Sequence, residues 1–480
     1  MNYPVWNVPG IGAGLVVAII ATIHVLISHF AIGGGAFLAV AEFWSDRQAD
    51  GERIRAWLHK FATFFLVFTT VFGAVTGVGI WFSIQLASPE ATSLLIHQFV
   101  FAWATEWIVF LAELSVLYLY YYGWKTNSRS FQRFLAAAYF VIAWFSLFVI
   151  NGILTFMLTP GSWTLQNHDI AGAFFNPGFW PALFIRTAVM MLIAGLGAML
   201  VASRLHDDAL KARIVSFSAK WVIPAALLVP LFGYWYWSTL PGSSIDLFQS
   251  GATGVGGGKM ASINRFFWLS VISGGLIMVS TMVIALRPKA LHTSAAVALM
   301  LLALFGVVGA EFFREMARKP YVIKDTLYSN ALWVHDATPE QLAQPYFSAS
   351  RWEPETQPLS LEHGEWVYRL QCATCHTLNG YRGLKGYTAQ WTPVSGVRFL
   401  ETLEAQGVMP PFQGNVDDRA ALTSFLLSLD PERAIAGSDV KILYEQAQEA
   451  QQAPQAALPF VGSLLLAAER GAQGAKEGLR

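Results

Sequence analysis

"ATIHVLISHFAIGGGAFLAVAEFW", residues 21–44, sits inside an apolar stretch running from about residue 11 to 43. A helix that crosses a membrane needs roughly 20 predominantly apolar residues, and this stretch exceeds that. Its neighbours repeat the pattern near 61–87, 94–123, 132–158, 180–203, 215–239, 264–286 and 294–314. Composition points the same way. Of 480 residues, 55% are hydrophobic and 13% charged, against about 25% charged in ordinary soluble domains. The mean hydropathy is +0.46. The fold class expected is all-α, a polytopic membrane bundle of about eight transmembrane helices with a small helical domain attached. The opening "MNYPVWNVPG" lacks a basic n-region, so the first apolar run is read as a helix of the bundle and not a cleavable signal. A formal net charge of zero gives no footprint for nucleic acid.

Orientation follows from basic residues in the connections. The first connection carries Arg47, Arg53, Arg55 and Lys60; the third carries Lys125, Arg129 and Arg133. The fifth has Arg204, Lys211, Arg213 and Lys220, and the seventh Arg287 and Lys289. The second, "ASPEATS", and the fourth, "TPGSWTLQNHDIAGAFFNPGF", have no Lys or Arg; Lys259 and Arg265 in the sixth are a minor exception. Both termini are therefore expected on the periplasmic side of a bacterial inner membrane.

The composition changes near Arg318. The expected domains are a membrane domain at 1–317, a polar extracytoplasmic linker at 318–358, a compact segment at 359–430 and a tail at 431–480. The tail's "ALPFVGSLLLAAERGA" is too short to span and reads as amphipathic or disordered. The glycine-rich "GATGVGGGK" (251–259) lacks the spacing of a phosphate loop and reads as a flexible loop.

The compact segment carries the sharpest motif. "CATCH" places Cys372, Cys375 and His376 at the spacing of a c-type haem attachment site. They are the chain's only two cysteines, so no disulfide framework competes for them. Haem attachment at this motif takes place outside the cytoplasm, which agrees with the charge asymmetry. His376 supplies one axial ligand, and Met409 in "GVMPPF" is the candidate for the other, its two prolines stiffening the loop. Thioether ligation raises the potential and favours electron transfer. The competing reading of Met409 is a packing residue. "LEHGEWVYRLQ" and "DDRAALTSFLLSL" are the helices expected to close this domain, which resembles the class I cytochromes c.

Ionisable groups within membrane helices mark function by default. His24 lies in the first helix. Glu106 and Glu113, in "ATEWIVFLAEL", share one face of the third, about 10 Å apart along its axis. Arg186 lies in the fifth, and Glu311 and Glu315 share a face near the end of the eighth. A lone membrane histidine is also compatible with a hydrogen-bonded core residue; the nearby carboxylates and attached redox motif favour a haem or proton role.

These residues resemble the large subunit of cytochrome bd oxidases. The likeness runs through "ATIHVLISHFAIGGGAFLAVAEFW", "GAVTGVGIWF", "ELSVLYLYYYGW", "NGILTFMLTPG" and "EMARKPYVI", covering about residues 1–325. It implies that His24 is the proximal ligand of a high-spin haem pair and Glu315 the glutamate ligand of the second haem. It further implies two membrane haems, of type b, type d or one of each. Glu113 matches the inner carboxylate of the family's third helix, and Glu106 falls one residue from the outer one; the two are the candidate catalytic residues, expected to deliver protons. Departures matter as much. Arg186 stands where the family has a low-spin haem histidine; an ever-protonated guanidinium is a poor iron ligand, so Arg186 is expected to neutralise a haem propionate or to pair with a buried carboxylate. Met278 and Met282 lack the partner ligand's context, and the long quinol loop after the sixth helix is missing. A low-spin haem and a quinol site are not expected.

Three functions follow as candidates. One is a terminal oxidoreductase fed through haem c by a periplasmic electron carrier, reducing oxygen or another small ligand. A second is an electron-transfer subunit working with other respiratory-complex subunits. The third is a membrane scaffold that only anchors haem c.

Overall fold

The computed structural model describes residues 6–253, 261–348 and 354–452. Eight helices in it are long and apolar enough to cross a membrane. They are α1 (Ala13–Ser45), α2 (Gly51–Ala87), α3 (Val100–Tyr122), α4 (Arg129–Phe156), α5 (Phe179–Ala202), α6 (Asp208–Ser238), α7 (Ala261–Leu286) and α8 (Thr293–Ala317). This is the helical bundle expected from the apolar runs. Helix α2 starts ten residues before its apolar stretch, because "GERIRAWLHK" (51–60) is its amphipathic first part, with Ile54, Trp57 and Leu58 buried in the bundle core. Within α2, Phe68–Phe72 forms a π turn. The hydroxyls of Thr69 and Thr70 donate to the carbonyls of Phe65 and Leu66 at 2.8 and 2.6 Å, so local side chains satisfy the loosened backbone.

Helix α1 is the axis. Three successive glycines admit three different neighbours. A Cβ at Gly33 would lie 2.0 Å from the carbonyl oxygen of Met190 on α5. At Gly34 it would lie 2.5 Å from the Phe65 ring of α2, and at Gly35 2.3 Å from the Tyr139 ring of α4. Reciprocally, Gly197 of α5 makes room for Phe30. Between helices in lipid, where burial of apolar surface gives no net drive, such close approach is what holds the bundle. The outward faces of α2, α3 and α7 are apolar and exposed, with Val78, Ile108 and Leu276 as examples.

The basic connections gather at one end. Buried Glu42 receives Arg129 at 2.9 Å and the Tyr120 hydroxyl at 3.0 Å. Arg53 pairs with Asp207, Arg213 with Asp50, and Arg133 with Asp46 at 2.9 Å. Helices α1, α2, α4 and α6 are thereby tied together beneath the lipid-facing shell.

The opposite end is capped by the rest of the chain. The segment read as a linker is folded: Tyr321–Ile323 pairs antiparallel with Leu327–Tyr328, and short helical turns follow. Its hairpin tucks into an apolar pocket with Ile323 and Leu327 wholly buried against Phe156 and Trp163. Helices α9 (Leu361–Gln371), α10 (Pro393–Glu401), α11 (Val416–Leu427) and α12 (Gly437–Gln452) then form a small unit. Asn415 caps α11 through a reciprocal capping box. The region read as a loop after α6 begins as a helix, Gly242–Thr253. Residues 254–260 of the glycine-rich stretch lie outside the described residues, as does the tail beyond 452 with its proposed amphipathic piece.

Gly33→Ala forces a methyl into a backbone carbonyl, and overpacking of this kind costs about 1–3 kcal/mol or more. Gly233→Ala on α6 is the control, since nothing lies within 4 Å of its Cβ position. Thermal unfolding in detergent, followed by circular dichroism, should show a lower midpoint for the first and none for the second; equal midpoints contradict the packing account.

Candidate functional site

His24 projects from α1 toward α2. Its Nδ1 lies 3.0 Å from the Thr76 hydroxyl, which itself donates to the Phe72 carbonyl at 2.6 Å. With that hydroxyl proton committed, Thr76 accepts from His24, so the ring carries its proton on Nδ1. Nε2 keeps its lone pair and has no hydrogen-bond partner among the described residues. Gly77 permits the ring to sit against α2, with a Cβ there 3.3 Å from His24 Cε1. A histidine held through one nitrogen with the other available is the arrangement metal ligands adopt. His29 shows the same proton placement, Nδ1 lying 2.7 Å from the Val25 carbonyl. It is buried, however, and faces the centre of the bundle.

That centre holds a charged cluster. Arg314 grips Glu311 Oε2 through Nε at 3.0 Å and Nη2 at 2.9 Å. Arg186 of α5, His29 of α1 and Tyr236 of α6 lie within electrostatic reach of Glu311. Two guanidiniums face one carboxylate. The sequence revealed Arg186 and Glu311 but not His29, Tyr236 or Arg314. The three-residue spacing of Glu311 and Arg314 was the available signal, since it places both on one helix face.

One turn further on, Glu315 binds Arg318 and lies 3.5 Å from Lys319 Nζ. Arg318 also donates to the Val322 carbonyl at 2.9 Å, fixing the α8 exit.

Glu106 and Glu113 are brought together with Ser146 of α4. The serine hydroxyl donates to Glu106 Oε1 at 2.6 Å, and Glu113 lies within electrostatic reach of Glu106. Glu106 Oε2 is buried without a hydrogen-bond partner. Tyr139 lies within electrostatic reach of Glu113. A buried carboxylate with an unfilled acceptor and a hydroxyl bound to its other oxygen is suited to holding and passing a proton. Neither Ser146 nor Tyr139 stood out in the sequence, because single hydroxyls on an apolar helix carry no pattern.

In the C-terminal unit, α9 ends where Cys372 begins the motif. His376 Nδ1 lies 3.0 Å from the Arg382 carbonyl, which only accepts, so Nδ1 bears the proton and the basic lone pair is on Nε2. The Tyr368 hydroxyl donates to the His376 carbonyl at 2.9 Å. Met409 lies in the loop between α10 and α11. Phe412, three residues on, is buried in the core that includes Val367, Tyr368 and Ala373 around Cys372. The Asn330 side chain donates to the Pro411 carbonyl at 3.2 Å. Both halves of the candidate haem c site thus rest on one small core. Among the described residues, no group of three or more His, Cys, Asp or Glu is placed to hold a bare metal ion.

Among solved structures, the chain is similar to the bd oxidase from Geobacillus thermodenitrificans. The TM-score is 0.58 at 16% identity, over 66% of this chain and 90% of that one. The protein thus has a bd-oxidase-like helical membrane fold. No family model matches the chain, and no curated protein does.

Removing Glu311 leaves two guanidiniums facing each other, whereas removing Arg186 leaves a complete pair. Glu311→Gln should therefore lower the thermal midpoint in detergent more than Arg186→Met. The reverse order contradicts the charge assignment.

Proposed function

We propose that the chain is a membrane oxidoreductase in which electrons enter at a periplasmic haem c and serve a bd-like high-spin haem pair. Cys372 and Cys375 hold the covalent haem, with His376 and Met409 as axial ligands. His24 and Glu315 are the ligands in the membrane. Bound there, the haems supply electron transfer and an open iron for oxygen or another small ligand. The observation that carries the reading is the position of the "CATCH" loop directly over the end of α8 that bears Glu315. Lys319 lies 3.5 Å from the Glu315 carboxylate and 3.9 Å from Cys375 Sγ.

The residues fit these roles. His24 presents Nε2 because Thr76 holds Nδ1. Lys319 and Arg318 neutralise Glu315, which makes it a weak ligand of the kind that leaves iron reactive. Glu106, Glu113 and Ser146 form the proton-holding group. Arg186 serves charge balance around Glu311, in keeping with a chain that has no low-spin haem ligand at that position. With the basic connections cytoplasmic, the capped end is periplasmic in a bacterial inner membrane. The electron donor is then a periplasmic carrier or cytochrome, and a respiratory complex with further subunits is the setting.

A reduced-minus-oxidised spectrum with and without carbon monoxide tests the core of this. His24→Ala should lose a non-covalent haem and the carbon monoxide signal while keeping the covalent haem reducible. Full retention of membrane haem and of reoxidation by oxygen in His24→Ala overturns the reading in favour of an electron-transfer subunit. Met409→Ala should keep the haem attached, lower its potential and open its iron. An unchanged potential removes Met409 as a ligand.

A further inference from the structure

The chain between α8 and α9 invites a picture of a tethered, swinging redox unit. The contacts contradict that picture. On the cysteine side, Tyr381 N–H donates to the Gly10 carbonyl at 2.8 Å. Gly380 lies so close that a Cβ would come 1.9 Å from the same oxygen. A Cβ at Gly14, in the first turn of α1, would lie 2.9 Å from the Thr374 carbonyl. Arg382 reaches Met316 Sδ of α8 at 3.7 Å. On the methionine side, Pro411 is held by Asn330, and Gly414 N–H donates to the Leu342 carbonyl at 2.9 Å. That 318–348 segment is in turn fixed to the bundle. Lys324 N–H donates to the Met157 carbonyl at 2.9 Å, and Trp333 Nε1 to Glu90 at 3.3 Å.

We propose that Lys319 is a positioning residue that locks the haem-attachment loop onto the ends of α1 and α8, so that the c unit works from one fixed position. The side chain of Lys319 is only 12% exposed, and a buried ammonium needs partners. It finds one charge, Glu315, and one soft acceptor, Cys375 Sγ. A single cation thus spans the membrane-side ligand and the haem-attachment cysteine. Glu315 keeps Arg318 as a second partner, so losing Lys319 unlocks the loop without stranding the carboxylate. The proposal rests on the haem c reading above. A haem held at Cys372 and Cys375 would supply one-electron transfer there, and Lys319 would set the position from which it acts.

The experiment compares full-length wild type, Lys319→Met and Lys319→Arg. Hydrogen exchange of the Tyr381 amide should be slow in wild type, several-fold faster in Lys319→Met, and restored in Lys319→Arg. Amides within α11 should not change. The covalent haem should stay attached in all three. Its midpoint potential should fall in Lys319→Met only, since a cation beside a haem stabilises the reduced form. Fast Tyr381 exchange in wild type, or exchange and potential unchanged in Lys319→Met, overturns the lock. Transfer after carbon monoxide photolysis should be independent of glycerol viscosity in wild type; viscosity-dependent transfer also overturns it. Failure of the functional reading is distinct, because it appears as missing non-covalent haem, while Tyr381 exchange still reports on the lock.

Discussion

The close approach of three helices to Gly33, Gly34 and Gly35 is the constraint on which the structure depends. In water, burial of apolar area gathers helices; in lipid the surroundings are as apolar as the side chains, and shape must do it. Helix α1 presents backbone where other helices present side chains, and Met190, Phe65 and Tyr139 fill the three spaces. This contact sets the rotation of α1. Once that is set, His24 must face α2 and His29 must face α5 and α8. Five residues turn a helix by about 140°, so the two rings occupy different surroundings though they share one sequence motif.

Charge is then sorted by depth. At the basic end, Glu42 and the ion pairs around Asp46, Asp50 and Asp207 join connections far apart in sequence. At the capped end, the last turns of α8 and the two residues after it carry Glu311, Arg314, Glu315, Arg318 and Lys319 within nine residues, and each acid has a base three or four residues on. The helix therefore neutralises most of its own charge before any neighbour contributes. Arg186 is the exception, a cation supplied by α5 to a carboxylate already bound by Arg314.

Much of this was legible in the sequence. Eight apolar runs predict eight helices because helix length and bilayer thickness are physically matched. The boundaries that shifted did so where an amphipathic turn, such as "GERIRAWLHK", continues a helix outside its apolar run. His24, Glu106, Glu113, Arg186, Glu311 and Glu315 stood out because each is costly in an apolar helix. Their partners Thr76, Ser146 and Tyr139 did not, since a hydroxyl on a membrane helix can satisfy itself on a carbonyl one turn back, as Thr76 does on Phe72. The folded state of 318–348 was also hidden. Its prolines and polar residues look like a linker, and only tertiary contact makes Ile323 and Leu327 part of a core.

That folded segment changes what covalent linkage means here. A flexible connection raises the local concentration of one unit near the other but leaves the geometry of each encounter to diffusion. A connection that pairs into a hairpin, inserts two apolar side chains beside Phe156 and Trp163, and holds the Pro411 loop through Asn330 fixes the orientation as well. The N-terminal residues complete the arrangement from the other side, since Gly10 meets Gly380 with no room for a side chain. The two loops that would flank a haem are thus each held by a different part of the membrane-associated chain. Movement of the small unit would break contacts on both sides, so the packing favours one position of that unit on the bundle over a range of encounters.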